Sequence, residues 1–472
     1  MEKYQEILSE LNSKIWDYSE LKFNEFNSSN AIKSLLNEQG FKIKSNLADM
    51  ETAFSASYGE GSPVIGILGE FDALSGLSQE AGALIPTPRE GVINGHGCGH
   101  SLLGTAAVGA SLFLKDYFIK NNRKGKVIFI GCPAEEGGSG KAYLARAGVF
   151  DKLDIALTWH PAGGNAVLTG SFQANCQVYF RFRGISAHAA GAPHLGRSAL
   201  DAVELMNVGV NYMREHIEPT DRIHYAVTDT GGVSPNVVQN HAEVIYLIRS
   251  TDSEKVKKLY ERVCKIAKGA AMMTETEVEI IFDKACSNMI SNEVLEKVLY
   301  DSMKKVSLPF YSEEALKFAY EMKKTISDTD LNSDMSLLFV SPTRKKQLVN
   351  EYKKIPMANF VVEYSHQETF IPGSSDVGDC SHVVPTAQFV GACFVPGTPA
   401  HSWQMVSQGK EEIAIKGMMY AAKVLADASI TLIENPKLIE LAKEEFLITT
   451  DGKAYSCPIP PEIKPNMNAK KK

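Results

Sequence analysis

Pro63-Val64-Ile65-Gly66-Ile67-Leu68 runs directly into Gly69-Glu70-Phe71-Asp72. The first stretch is apolar without alternation, the pattern of a strand covered on both faces. The second puts carboxylates where such a strand ends. Three more runs repeat the pattern: Lys126-Val127-Ile128-Phe129-Ile130-Gly131, Asp154-Ile155-Ala156-Leu157-Thr158-Trp159 and Ala387-Gln388-Phe389-Val390-Gly391-Ala392-Cys393-Phe394. Helical spacing lies among them, in Ile32, Leu35 and Leu36 and in the small apolar stretch 102–118. Buried strands alternating with helices predict an α/β fold, a central and mostly parallel sheet flanked by helices.

The middle of the chain has another rhythm. Strand, helix, strand, strand, helix, strand is read at 177–184, 199–216, 223–230, 241–247, 254–272 and 277–282. That order is the split βαβ arrangement of a ferredoxin-like α+β unit. The prediction is an inserted domain at 173–287, interrupting a discontinuous one at 1–172 and 288–472. Residues 325–350 and those beyond Cys457 read as irregular.

Composition narrows the class. At 472 residues the chain is long for one domain, and 44% hydrophobic with 22% charged residues is ordinary for a globular protein. A net charge of -7, spread along the chain, argues against nucleic acid or an anionic membrane as partner. Lys470-Lys471-Lys472 is too short a basic run to alter that. Met1-Glu2-Lys3-Tyr4-Gln5-Glu6 lacks the apolar core of a signal peptide. No uninterrupted apolar stretch approaches the roughly 20 residues of a membrane span. Eight scattered cysteines suggest reduced thiols, so a soluble cytoplasmic protein is expected.

Ligands of open α/β sheets collect at the carboxyl ends of the strands. There the sequence offers Glu70 and Asp72, then Glu135 and Glu136, then His160, then His401. Gly95-His96-Gly97-Cys98-Gly99-His100 stands before the 102–118 helix. Alone, that run reads equally as a metal-binding turn or as a glycine-rich turn with solvated histidines. Several strands delivering carboxylates and imidazoles to one edge favour the metal site. Adjacent glutamates can divide the labour, one binding metal while the other takes a proton from a metal-bound water.

Through 95–104, 132–141, 156–161, 193–202, 373–378 and 397–409 the chain resembles the aminoacylase and carboxypeptidase G-like metallopeptidases, amidohydrolase branch. The resemblance covers nearly the whole chain. It implies that Cys98, His100, Glu136, His160 and His401 hold two divalent cations, zinc or manganese, with Cys98 as the bridge. Glu135 is the implied general base and Asp72 the acid that supports a ligand. Glu70 stands where most relatives place a ligand histidine, which the amidohydrolase branch also lacks. The ferredoxin-like unit is the implied lid and dimerisation domain. Its His188 matches a residue that reaches a partner's active site and stabilises the oxyanion. Asn236 and Arg249 match positions that hold the substrate carboxylate. Ser374, Ser375 and Asp376 occupy the place of the family's Glu-Asp pair. Asp376 and Asp379 are candidates for orienting a ligand imidazole, and His96 for a packing or supporting role.

The implied activity is metal-dependent hydrolysis of the amide of an N-acyl amino acid, with p-aminobenzoyl-glutamate the expected substrate. A dipeptidase or general N-acyl-amino-acid hydrolase is the alternative, and a non-catalytic regulatory subunit a further one. A homodimer or a complex with a related A subunit is the implied assembly.

Overall fold

The structure, a computed structural model, describes residues 2–334, 340–367, 370–371 and 373–465; Lys470-Lys471-Lys472 lies outside them. It divides into two compact units. The first comprises Met1–Ser171, Ile290–Ile371 and Asp379–Ser456, the second Phe172–Met289, Pro372–Gly378 and Cys457–Lys472.

The first unit is built on a seven-stranded sheet in the order Lys42–Ser45, Phe54–Glu60, Gly125–Cys132, Val64–Glu70, Ile155–Ala162, Thr386–Ala392, Ala166–Leu168. The four expected strands are its centre and run parallel to one another. Their carboxyl ends therefore share one edge. Antiparallel strands flank them on both sides. Trp159, Phe129 and Phe389 are fully buried among them, each contributing about 1.5–3 kcal/mol by leaving water.

Helix His100–Asn121 packs against the central strands and against helix Glu412–Glu434. It is long and apolar enough to cross a membrane by composition, but it is the buried core helix of this unit. It lies very close to the sheet: a Cβ on Gly104 would stand 2.5 Å from the Glu70 carbonyl oxygen. Only glycine allows that approach, and it brings the start of the helix to the strand ends.

One expectation needs correction. The 325–350 segment contains helix Asp328–Asp334 and the start of helix Pro342–Lys354. Ser327 and Asp330 bond reciprocally across the first helix start, and Ser341 accepts from Arg344 N at the second. Glu135 and Glu136 do not extend a strand. They open a short helical turn, Glu135–Gly138, just beyond one.

The second unit has a four-stranded antiparallel sheet in the order Glu277–Cys286, Ala174–Arg183, His241–Ser250, Arg222–Asp229. Helices Ala199–Met213 and Ser253–Thr274 cover one face, burying Val244, Tyr246 and Ile248. Ser198 Oγ accepts from Asp201 N at 3.1 Å and Asp252 from Lys255 N at 2.8 Å, capping the two helices. Ile245, Leu247 and Arg249 alternate onto the other face and are only half-buried.

Candidate metal centre

Each strand end hands one group to the shared edge. Asp72 follows Val64–Glu70, the Glu135–Gly138 turn follows Gly125–Cys132, and His160 lies within Ile155–Ala162. His401 lies in the loop after Thr386–Ala392, where its backbone N donates to the Gly97 carbonyl at 2.9 Å. Gly99 takes a left-handed φ of 76°, which turns the chain so that His100 begins its helix. A Cβ there would press to 2.7 Å of Pro161 Cγ.

Asp72 organises this edge with both oxygens. Oδ1 lies 2.9 Å from His100 Nδ1, and Oδ2 accepts from Glu136 N at 2.9 Å. The first contact directs His100 Nε2 away from Asp72, and that buried nitrogen has no hydrogen-bond partner. His160 Nδ1 donates to the Pro161 carbonyl at 2.9 Å, leaving Nε2 3.4 Å from Cys98 Sγ. Ligand imidazoles are commonly held through their second nitrogen in this way.

The candidate ligands fall into two triads. The side-chain donors of Cys98, His100 and His160 lie within 4.8 Å of one another, as do those of Cys98, Glu136 and His401. Cys98 belongs to both. Glu135 joins Glu70 and His100 in a third group of the same closeness. His96 is set apart: its Nε2 meets the Ile15 carbonyl at 2.9 Å, and burial pushes its imidazole down to about 4.

Burial raises the Cys98 thiol well above its ordinary value, with Glu136 adding to the effect. Burial also raises Glu136 to about 8, and raises Glu135, where the Glu70 charge contributes next. His160 is lowered to about 3, by burial and then by His100. Burial would lower His100 too, but the charges of Cys98 and Asp72 overcome it and raise the imidazole. A thiolate, carboxylates and imidazoles gathered under such strain suit divalent cations, which would hold the acids ionised. The residues present fit a metal centre.

Two buried groups here went unnoticed in sequence. Lys141 is fully buried, with Nζ 2.5 Å from Glu70 Oε1, while Glu70 Oε2 lies 3.3 Å from His100 Nε2. Glu25, also fully buried, accepts from Phe23 N at 3.0 Å and Ala134 N at 2.9 Å through the same oxygen. Phe23 and Ala134 both have positive φ, 61° and 62°, conformations a β-carbon disfavours. Glu25 thus pins the residue just before the Glu135–Glu136 pair. Glu25→Ala should cost about 1–3 kcal/mol in thermal unfolding, the penalty of leaving buried donors unpaired. Glu25→Gln, keeping an acceptor, should cost less. Burial first and then Asp72 raise folded Glu25 from 4.5 to about 8. The folded state therefore holds the extra proton, and this group's contribution to stability falls as pH rises between those values. Glu25→Gln should remove that dependence.

The remaining predicted residues of the second unit lie at opposite ends of its sheet. His188 is exposed and bridges to Val237, and Ala189 N donates to the Asn236 carbonyl at 3.0 Å. His188 Nδ1 accepts from Ala190 N and Gly191 N at 3.2 and 3.0 Å, which leaves its proton on Nε2. Arg249 stands near the far end of His241–Ser250, its Nη1 donating to Ser374 Oγ at 2.8 Å. Eight residues of strand separate Arg249 from the Asn236 end, roughly 27 Å at about 3.4 Å per residue. Asn236 and Arg249 are therefore not brought together within one chain. Asp376 is buried within the second unit. Asp379 lies in the first, where its Oδ1 accepts from the Tyr455 hydroxyl at 2.8 Å.

Residues 66–319 match the sequence model of peptidase family M20/M25/M40. The chain is 45% identical over 459 residues to the B subunit of p-aminobenzoyl-glutamate hydrolase from Escherichia coli (strain K12), covering 97% of this chain and 95% of that protein. It is 28% identical over 357 residues to a Xaa-Arg dipeptidase of Mus musculus, covering 75% and 70%. Its fold is similar to that of an aminobenzoyl-glutamate utilization protein from Klebsiella pneumoniae, with a TM-score of 0.59 at 16% identity over 91% of this chain and 96% of that one.

Proposed function

The chain belongs to peptidase family M20/M25/M40, and we propose that it hydrolyses the amide of N-acyl amino acids, with p-aminobenzoyl-glutamate as substrate and p-aminobenzoate and glutamate as products. The observation that carries this reading is the pair of triads sharing Cys98, with the Glu135 carboxylate beside His100. Two divalent cations, zinc or manganese, held by Cys98, His100, Glu136, His160 and His401 would polarise the scissile carbonyl and bring a bound water's pKa down towards about 7. A Glu135 oxygen takes one proton from the attacking water and passes it to the amide nitrogen as the C–N bond breaks. Asp72 keeps His100 and the Glu135–Gly138 turn in register throughout.

Three residues of the second unit complete the reading. Arg249, a half-buried guanidinium whose hydrogen bond goes to a neutral hydroxyl, holds the carboxylate of the amino-acid portion. His188 offers Nε2–H to the developing oxyanion, and Asn236 lies beside it. Because His188 and Asn236 lie a strand's length from Arg249, we assign them to a substrate held by a partner subunit. That partner is a second copy or a related A subunit. Eight free cysteines fit a cytoplasmic location.

The likeness to a Xaa-Arg dipeptidase favours a second reading, cleavage of dipeptides. An assay of p-aminobenzoyl-glutamate beside Xaa-Arg dipeptides and N-acetyl amino acids separates the two. It should be run with zinc and with manganese, with and without an A subunit. Glutamate release from p-aminobenzoyl-glutamate is expected to be the fastest reaction. No release under any of these conditions would remove this substrate.

A further inference from the structure

The arginines of the second unit's sheet divide by their partners. Arg181 pairs with Glu243, and Arg183 with Glu279 at 3.7 Å. Arg222 and Arg249 have no carboxylate partner among the described residues. Arg222 Nη1 donates to the carbonyls of Pro219 and Asp221 at 2.6 and 2.7 Å, and Arg249 Nη1 to Ser374 Oγ at 2.8 Å. Yet these two arginines are directly opposed in the antiparallel pairing, so both project from the face left open by the helices. Like charges in such a pair, with Cβ atoms about 4.5–5.5 Å apart, destabilise a sheet.

A neighbour on that face strengthens the pattern. His224 pairs with Leu247, one step along from Arg249, and is exposed. Burial, then Arg249, Arg214 and Arg222, hold its imidazole below the ordinary value. Opposed cations with neutral partners and an imidazole on one row are what an anion with two charges would relieve.

We propose that this row is a two-carboxylate site, in which Arg249 with Ser374 takes one carboxylate of the amino-acid portion and Arg222 with His224 takes the other. The preferred substrates are then N-acyl dicarboxylic amino acids rather than N-acyl neutral ones. This specificity rests on the hydrolase reading above. The spacing of a cross-strand pair suits two carboxylates joined through three carbons, as in glutamate or glutarate.

The test uses the metal-loaded enzyme in two arms. In the first, kcat/KM is measured on p-aminobenzoyl-glutamate and p-aminobenzoyl-alanine. The glutamate conjugate is expected to be the better substrate. Arg222→Ala should lower its kcat/KM about 10- to 100-fold, mainly through KM, the loss of a charged hydrogen bond. The alanine conjugate should change by less than about twofold, and Arg222→Lys should recover part of the loss. In the second arm, glutarate binding is followed by calorimetry while NMR reports the His224 imidazole. Glutarate should bind, raise the His224 pKa, and bind Arg222→Ala about tenfold or more weakly. Equal losses on both conjugates, or no glutarate binding by the wild type, would overturn the two-carboxylate site. Glutarate binding with the His224 shift, but cleavage of neither conjugate, supports the site and counts against the hydrolase reading.

Discussion

Glu135→Gln is expected to lower kcat by about 10²- to 10⁴-fold while leaving KM and metal content near those of the wild type. Glutamine keeps the size and the hydrogen-bonding oxygen of glutamate but cannot accept a proton from water at neutral pH. The side chain sits at the start of a short helical turn whose backbone is fixed from two directions. Glu25 holds Ala134 N and Asp72 holds Glu136 N. The substitution changes a charge without releasing that turn, so lost activity reports chemistry rather than unfolding. Burial, then the Glu70 charge, raise the Glu135 carboxyl. Steady-state kinetics beside elemental analysis and thermal unfolding decide the matter. Turnover within about tenfold of wild type at full metal content would remove Glu135 from the role of base.

Metal content should separate the three metal-capable residues of the Gly95–His100 run. Cys98 belongs to both triads, so Cys98→Ala is expected to lose both ions. His100 belongs to one, so His100→Ala should lose chiefly one. His96→Ala should keep its metal. It loses the contact to the Ile15 carbonyl and its buried packing, a stability cost of about 1–3 kcal/mol. Elemental analysis after loading with zinc or manganese, beside thermal unfolding, reads both effects. Equal metal loss in all three variants would overturn this division of roles.

Much of the fold and the metal edge was legible because the decisive signals are local. A buried parallel strand is a short apolar run, and the residues just past its end name the groups at the sheet edge. The second unit's strand and helix order was readable for the same reason. The unread parts depend on distant partners or weak patterns. Lys42–Ser45 is an edge strand with little burial, and Phe54–Glu60 carries serines and glycine, so neither reads as a buried run. The helices within 325–350 are polar, and only Ser327 with Asp330 and Ser341 before Pro342 marked their starts. Glu25 and Lys141 look like surface charges until the fold places Ala134 N and Glu70 beside them. Asn236 and Arg249 lie close in sequence, but an extended strand carries them apart.

The candidate ligands are also distributed unevenly in time. Cys98, His100, Glu136 and His160 precede Phe172–Met289, the main segment of the second unit, whereas His401 follows it. The strand leading to His401, Thr386–Ala392, lies between Ile155–Ala162 and Ala166–Leu168. A ribosome thus emits most of the donors long before the strand that completes their sheet. Until it arrives, Ile155–Ala162 has an open edge, and closing that gap requires contacts across nearly half the chain, a slow step for any fold. A metal centre that draws on His401 can be completed only after that strand is in place.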